Sequence, residues 1–97
     1  KICGGGAKSP LWKKMIANIL NIKVDVIESE EGPALGGAML AAVANGEFAS
    51  VEEAAAKIVK VIDTVEPEPE LAAKYEEKYQ KFVKIYPAVK DLFNEII

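Results

Sequence analysis

The chain has 97 residues, 51% of them hydrophobic and 28% charged, with a mean hydropathy of +0.10; that bounds it to one domain or part of one and argues against disorder. Its formal net charge is −3, all twelve basic residues are lysines, and arginine and histidine are absent. Histidine-based catalytic dyads and triads are therefore excluded, as are the guanidinium forks that read bases or clamp phosphates.

The mild acidity, without a basic stripe, argues against a nucleic-acid partner. Cys3 is the single cysteine, so no internal disulfide forms, nothing points to an oxidising compartment, and a protein-ligated zinc site is not expected. The longest apolar run, residues 34–44, is built mostly of alanine and glycine and is too short to span a bilayer. No signal peptide is visible. A cytoplasmic protein with no membrane partner is the expectation.

Residues 1–3 read as the end of a strand whose beginning lies outside the chain, followed by Gly4-Gly5-Gly6. Ser9 stands where a helix N-cap should, with Pro10 at the first helical position. Leu11, Met15 and Ile19, with Trp12, Ile16 and Leu20, make a broad apolar stripe, which predicts a helix over 10–20 stopping at Asn21. The alternation at 24–27 predicts a short strand. A polar turn over 29–33 leads to a second helix over 34–44, ended by Asn45-Gly46. Gly36, Gly37 and the alanines around them let another backbone approach closely, and the helix propensity they forfeit makes sense against a tightly packed neighbour or ligand.

Ser50 and Glu53 form a capping box that opens a third helix, to about Lys60. Residues 61–65 read as a strand or an extended arm, and the Glu-Pro repeat at 66–70 as a stiff connector. A fourth helix is predicted over 70–85, with Leu71, Tyr75, Tyr79, Phe82 and Tyr86 as its core-facing stripe. Pro87 interrupts, and 89–97 reads as a last short helix. The fold class is α/β, mostly helical with two or three short strands.

The candidate site is Gly4-Gly5-Gly6-Ala7-Lys8-Ser9. Bare amides leading into a helix N-terminus favour an anion, because the first-turn N–H groups are unpaired and the dipole is positive there. Lys8 adds a mobile charge, and Ser9 offers a hydroxyl to the helix or to a ligand. A P-loop fails on Ile2 and Ala7, which stand at its two glycine positions. A dinucleotide fingerprint fits Gly4 and Gly6 but not Ser9, with Asp25 as weak support further on. A tight turn without a ligand stays open beside a phosphate site. The carboxylates of Glu28-Ser29-Glu30-Glu31-Gly32 suit Mg²⁺ or acid–base work, against a solvated turn before a helix.

Together, Gly-Gly-Gly-Ala-Lys-Ser-Pro-Leu-Trp at 4–12, Ile-Ala-Asn-Ile-Leu at 16–20 and Glu-Ser-Glu-Glu-Gly-Pro-Ala-Leu-Gly at 28–36 resemble the C-terminal domain of the FGGY family of carbohydrate kinases, most like its xylulose-phosphorylating branch. The Ser50–Ala54 start, the Val65-Glu66-Pro67 arm and the tyrosine-rich helix extend the resemblance over nearly the whole chain. Asn18 departs from the aspartate usual there, and Gly37 from alanine. The resemblance implies an actin-like (RNase H-like) fold, with residues 1–97 as a piece of the nucleotide-binding domain of an ATP-dependent sugar kinase. It implies ATP, with Mg²⁺, at Gly4, Gly5, Gly6, Ala7 and Ser9, and packing of the small-residue helix beside that loop. It also implies a sugar, a pentulose or a relative, bound mainly by another domain that supplies the catalytic aspartate. No catalytic or metal-ligating residue is expected within these 97.

Two other readings compete: a non-catalytic helical interaction module, and an actin-like ATPase of another class. Apolar stripes that lack sheet partners lead to a further expectation, self-association into a homodimer.

Overall fold

The computed structural model describes all 97 residues. Gly4 has φ 88° and ψ −178°, a region open essentially to glycine alone. It turns the chain into a short 3-10 turn, Gly5–Lys8, where the Ala7 N–H donates to the Gly4 carbonyl and the Ser9 N–H to that of Gly6. Helix α1, Pro10–Leu20, starts at once. Ser9 Oγ accepts from the Trp12 N–H at 3.3 Å, and Pro10 gives up an N–H that would have no helical partner. The helix ends on left-handed Asn21, with the Ile22 N–H closing on the Ala17 carbonyl at 3.2 Å.

Strand β1, Val24–Ile27, follows and pairs antiparallel with β2, Val61–Val65. The register sets Val24 opposite Val65 and Val26 opposite Asp63, then skips Ile62 to set Ile27 opposite Val61. That bulge tips Ile62 out of the ladder. On the other side of β1, Ile2 bridges Val26 in parallel, and its N–H donates to the Asp25 carbonyl at 2.9 Å. The first three residues therefore run alongside the sheet, with α1 as the crossover back to it.

Helix α2 is Gly32–Ala44, beginning two residues earlier than the sequence predicts. Pro33 lies in its first turn, where a missing N–H costs nothing. Gly46, at φ 85°, ends it, with the Gly46 N–H on the Val43 carbonyl and the Glu47 N–H on that of Ala42. Helix α3, Val51–Ile58, has the expected Ser50 cap, but Glu53 reaches back to the Ala49 N–H instead of that of Ser50. It stops short of Lys60 because the backbone is already extended at Val59, φ −78° and ψ 117°, and leads into β2, beside which the Lys60 carbonyl accepts from the Glu28 N–H. Helix α4 is Pro69–Phe82, three residues shorter at its C-terminus than predicted. Pro87 does not separate two elements: it sits in the first turn of α5, Ile85–Val89, and α6 is Leu92–Ile96.

Helix α1 packs on α4 and on the 3-10 turn, α2 packs on α3, and the two strands hold each other. Little is buried: Ala17, Val24, Ala54, Ala72 and one polar residue, Asn18. The radius of gyration is 18.7 Å, against roughly 12.5 Å for a compact domain of this length. The surface is 7502 Å², against about 5,400 Å² for a compact domain of this mass. The predicted α4 stripe is accordingly not core within the chain: Tyr79, Phe82 and Tyr86 are each more than half exposed. The stripe of α1 is also partly uncovered, at Leu11, Trp12 and Leu20.

Candidate functional site

A cleft of about 190 Å³ lies between the glycine loop and the turn from β1 to α2. Ile2, Cys3, Gly4, Ala7 and Lys8 form one wall, Val26 to Glu30 the other, and the bulged Ile62 also lines it. Its volume is below the roughly 300 Å³ of a small-molecule site, so it accommodates only part of a nucleotide-sized ligand. The first amides of the 3-10 turn have no partner within the turn, and the α1 N-terminus follows directly.

Of the loop residues singled out in the sequence, Gly4, Ala7 and Lys8 line the cleft; Gly5, Gly6 and Ser9 do not. Their surroundings explain the residue types. A Cβ at Gly5 would meet nothing within 4 Å, whereas a Cβ at Gly6 would lie 2.7 Å from Trp12 Nε1. Gly6 is thus required by the packing of Trp12, Gly4 by its backbone angles, and Gly5 by neither. Ser9 spends its oxygen on capping α1.

The carboxylates do not converge. Glu28 pairs with Lys60 at 3.9 Å and Glu30 with Lys8 at 3.0 Å, while the Glu31 N–H donates to Ser29 Oγ. No three His, Cys, Asp or Glu side chains come together as a metal site. Asp25, considered above as a partner for a ribose, instead accepts from Thr64 Oγ1 at 3.0 Å and lies 3.9 Å from Lys1 Nζ, outside the cleft.

The small-residue helix is a partial correction. Gly36 and Gly37 face open space, and no residue of α2 is buried. The close approach occurs at Gly32 instead, where a Cβ would sit 2.7 Å from Cys3 Sγ. That contact seats the α2 N-terminus against the start of the glycine loop. The expected packing of this helix beside the loop thus holds at its N-terminus; the individual Gly32–Cys3 contact and the Lys8–Glu30 pair carry no sequence signal, since each joins residues more than twenty positions apart with no shared periodicity.

Comparison with known proteins supplies the context. Residues 1–45 match the family model for the FGGY family of carbohydrate kinases, C-terminal domain. The chain is 40% identical over 89 residues to a xylulose kinase of Bacillus subtilis, covering 92% of this chain and 18% of that protein. It is 40% identical over 90 residues to a human FGGY carbohydrate kinase domain-containing protein, covering 93% of this chain and 16% of the relative. A ribulokinase of Halalkalibacterium halodurans is 41% identical over 90 residues, covering 87% of this chain and 16% of that protein. The crystal structure of a ligand-bound xylulose kinase from Lactobacillus acidophilus superposes with a TM-score of 0.83 at 22% identity, over 98% of this chain and 19% of that one. The chain therefore spans about a fifth of the length of the proteins it matches. Its fold is that of a portion of that xylulose kinase structure, mostly helical with a small two-stranded sheet. The likeness is thus to the C-terminal domain of the FGGY family of carbohydrate kinases, matched by the family model over residues 1–45.

Proposed function

We propose that residues 1–97 form part of the nucleotide-binding half of an ATP-dependent sugar kinase, acting on a pentulose or a related sugar. The observation that carries this reading is the glycine loop: unpaired amides and a helix N-terminus beside a cleft, on a chain with this likeness. Such a surface receives the oxygens of a phosphate. Gly4, Gly5 and Gly6 would offer backbone amides and Ala7 its place in the cleft wall, with Ser9 fixing the start of α1. The xylulose kinase and ribulokinase relatives favour a five-carbon ketose. Sugar and general base would belong to the rest of a longer protein. No cation site converges in this chain, so Mg²⁺ would arrive on the phosphates of ATP, where it neutralises charge that builds up in phosphoryl transfer. The uncovered apolar faces support a second part of the reading, that another copy or the remainder of such a protein packs on them. The exposed free thiol of Cys3 suits a reducing, cytoplasmic setting.

Gly5→Val tests the site. A side chain there fits the chain itself, since nothing lies within 4 Å of its Cβ position. A loss of ATP affinity of about tenfold, or 1.4 kcal/mol, would therefore come from the ligand. Unchanged ATP binding in this variant would refute the site.

A further inference from the structure

One ion pair ties the two walls of the cleft together: Lys8 Nζ lies 3.0 Å from Glu30 Oε2. Lys8 is the only cation lining the cleft; its other charged lining residues are Glu28 and Glu30. Resting on the nucleotide reading above, we propose that Lys8–Glu30 is a displaceable latch. Glu30 holds Lys8 in the free protein, and an entering polyphosphate takes Lys8 over. Lys8 is thus a positioning residue for the phosphate tail.

The electrostatics favour exchange over a fixed bridge. Both side chains are mostly exposed, at 64% and 71%, and ion pairs in that setting are weak enough to open readily. The lysine ammonium is a point charge on a flexible stem, so it re-aims without moving the backbone. A phosphate tail that left the pair closed would face two carboxylates and a lysine already neutralised. Glu28 is occupied separately by Lys60 at 3.9 Å, so Glu30 alone controls the availability of Lys8.

The test is titration of inorganic tripolyphosphate, and separately of adenosine and ATP, into the chain and its variants, reading the amide shifts of residues 4–9 by NMR. Glu30→Gln should bind tripolyphosphate about two- to sixfold more tightly, the range expected when an exposed pair no longer sequesters Lys8. Lys8→Met should bind it more weakly, and in that background Glu30→Gln should bring no gain. Glu31→Gln removes the same charge one residue away without touching the latch, so it should match the parent chain. Equal affinity in Glu30→Gln and the parent, an equal gain in Glu31→Gln, or silence toward tripolyphosphate in every variant would overturn the latch. Loop shifts with ATP that are the same in the parent, Glu30→Gln and Lys8→Met would overturn the latch and leave the nucleotide reading standing. Silence toward both adenosine and ATP would overturn that reading as well.

Discussion

Asn18 is the single polar residue in the core, and its Oδ1 accepts from the Glu68 N–H at 2.7 Å. Glu68 is the N-cap of α4, so this bond docks α4 onto α1. Replacing Asn18 with leucine keeps most of the volume and removes the acceptor. A donor left without a partner costs about 1–3 kcal/mol, which converts to roughly 5- to 150-fold faster opening of the docked helix start. Hydrogen exchange reads this locally, at the amides of Glu68 and of Ala72, whose N–H bonds to the Glu68 carbonyl at 2.9 Å. The Ala54 amide in α3, bonded to the Ser50 carbonyl, serves as the reference that should not change. Asn18→Asp is the second arm. It keeps an acceptor in place and sets a negative charge at the start of α4, worth about 0.3–1 kcal/mol, against the cost of burying a carboxylate. Exchange within about fivefold of the parent chain is expected, in keeping with the aspartate that the family resemblance places here. Equal acceleration by leucine and aspartate, or acceleration at Ala54 as well, would refute the docking role.

Gly4→Ala should destabilise the glycine loop by about 1–3 kcal/mol through its backbone angles, while Gly5→Ala should leave it intact; loop amide exchange distinguishes the two. The chain should associate at micromolar concentration, since its excess of about 2,100 Å² over a compact domain exceeds the roughly 800 Å² per partner of a stable interface. Sedimentation equilibrium should give a mass above 10.5 kDa, and a clean monomer would contradict it. The 97 residues alone should show no sugar-dependent release of ADP, because sugar and general base are assigned to another domain; turnover above a blank would contradict that assignment.

Local signals carried the elements. Ser9-Pro10, Asn21, Asn45-Gly46 and Ser50 each mark a helix end through chemistry confined to a few neighbouring residues, and the structure uses all of them as caps or stops. The departures arise where a distant partner decides. Val59 and Lys60 leave α3 for an extended path into β2, the strand that pairs with distant β1. Apolar periodicity reports which face of α4 avoids water, not whether this chain covers it, so the tyrosine stripe was legible and its exposure was not. At the site, the glycine run located the loop, but Gly4 and Gly6 answer two different physical needs and Gly5 none within the chain, which only the backbone angles and the position of Trp12 separate. Gly32 passed as part of an acidic turn, although it is the residue that lets α2 meet Cys3.

The central claim, that the glycine loop receives the phosphates of a nucleotide, is tested most directly by paramagnetic broadening with Mn²⁺–ATP. Mn²⁺ rides on the phosphate oxygens, so broadening maps where the phosphates lie. Mn²⁺ alone is the control for direct binding to Glu28, Glu30 or Glu31. The account predicts ATP-dependent broadening centred on the amides of residues 4–9, fading along α1 and absent from α3 and α6. Broadening centred elsewhere, or identical with and without ATP, would contradict it.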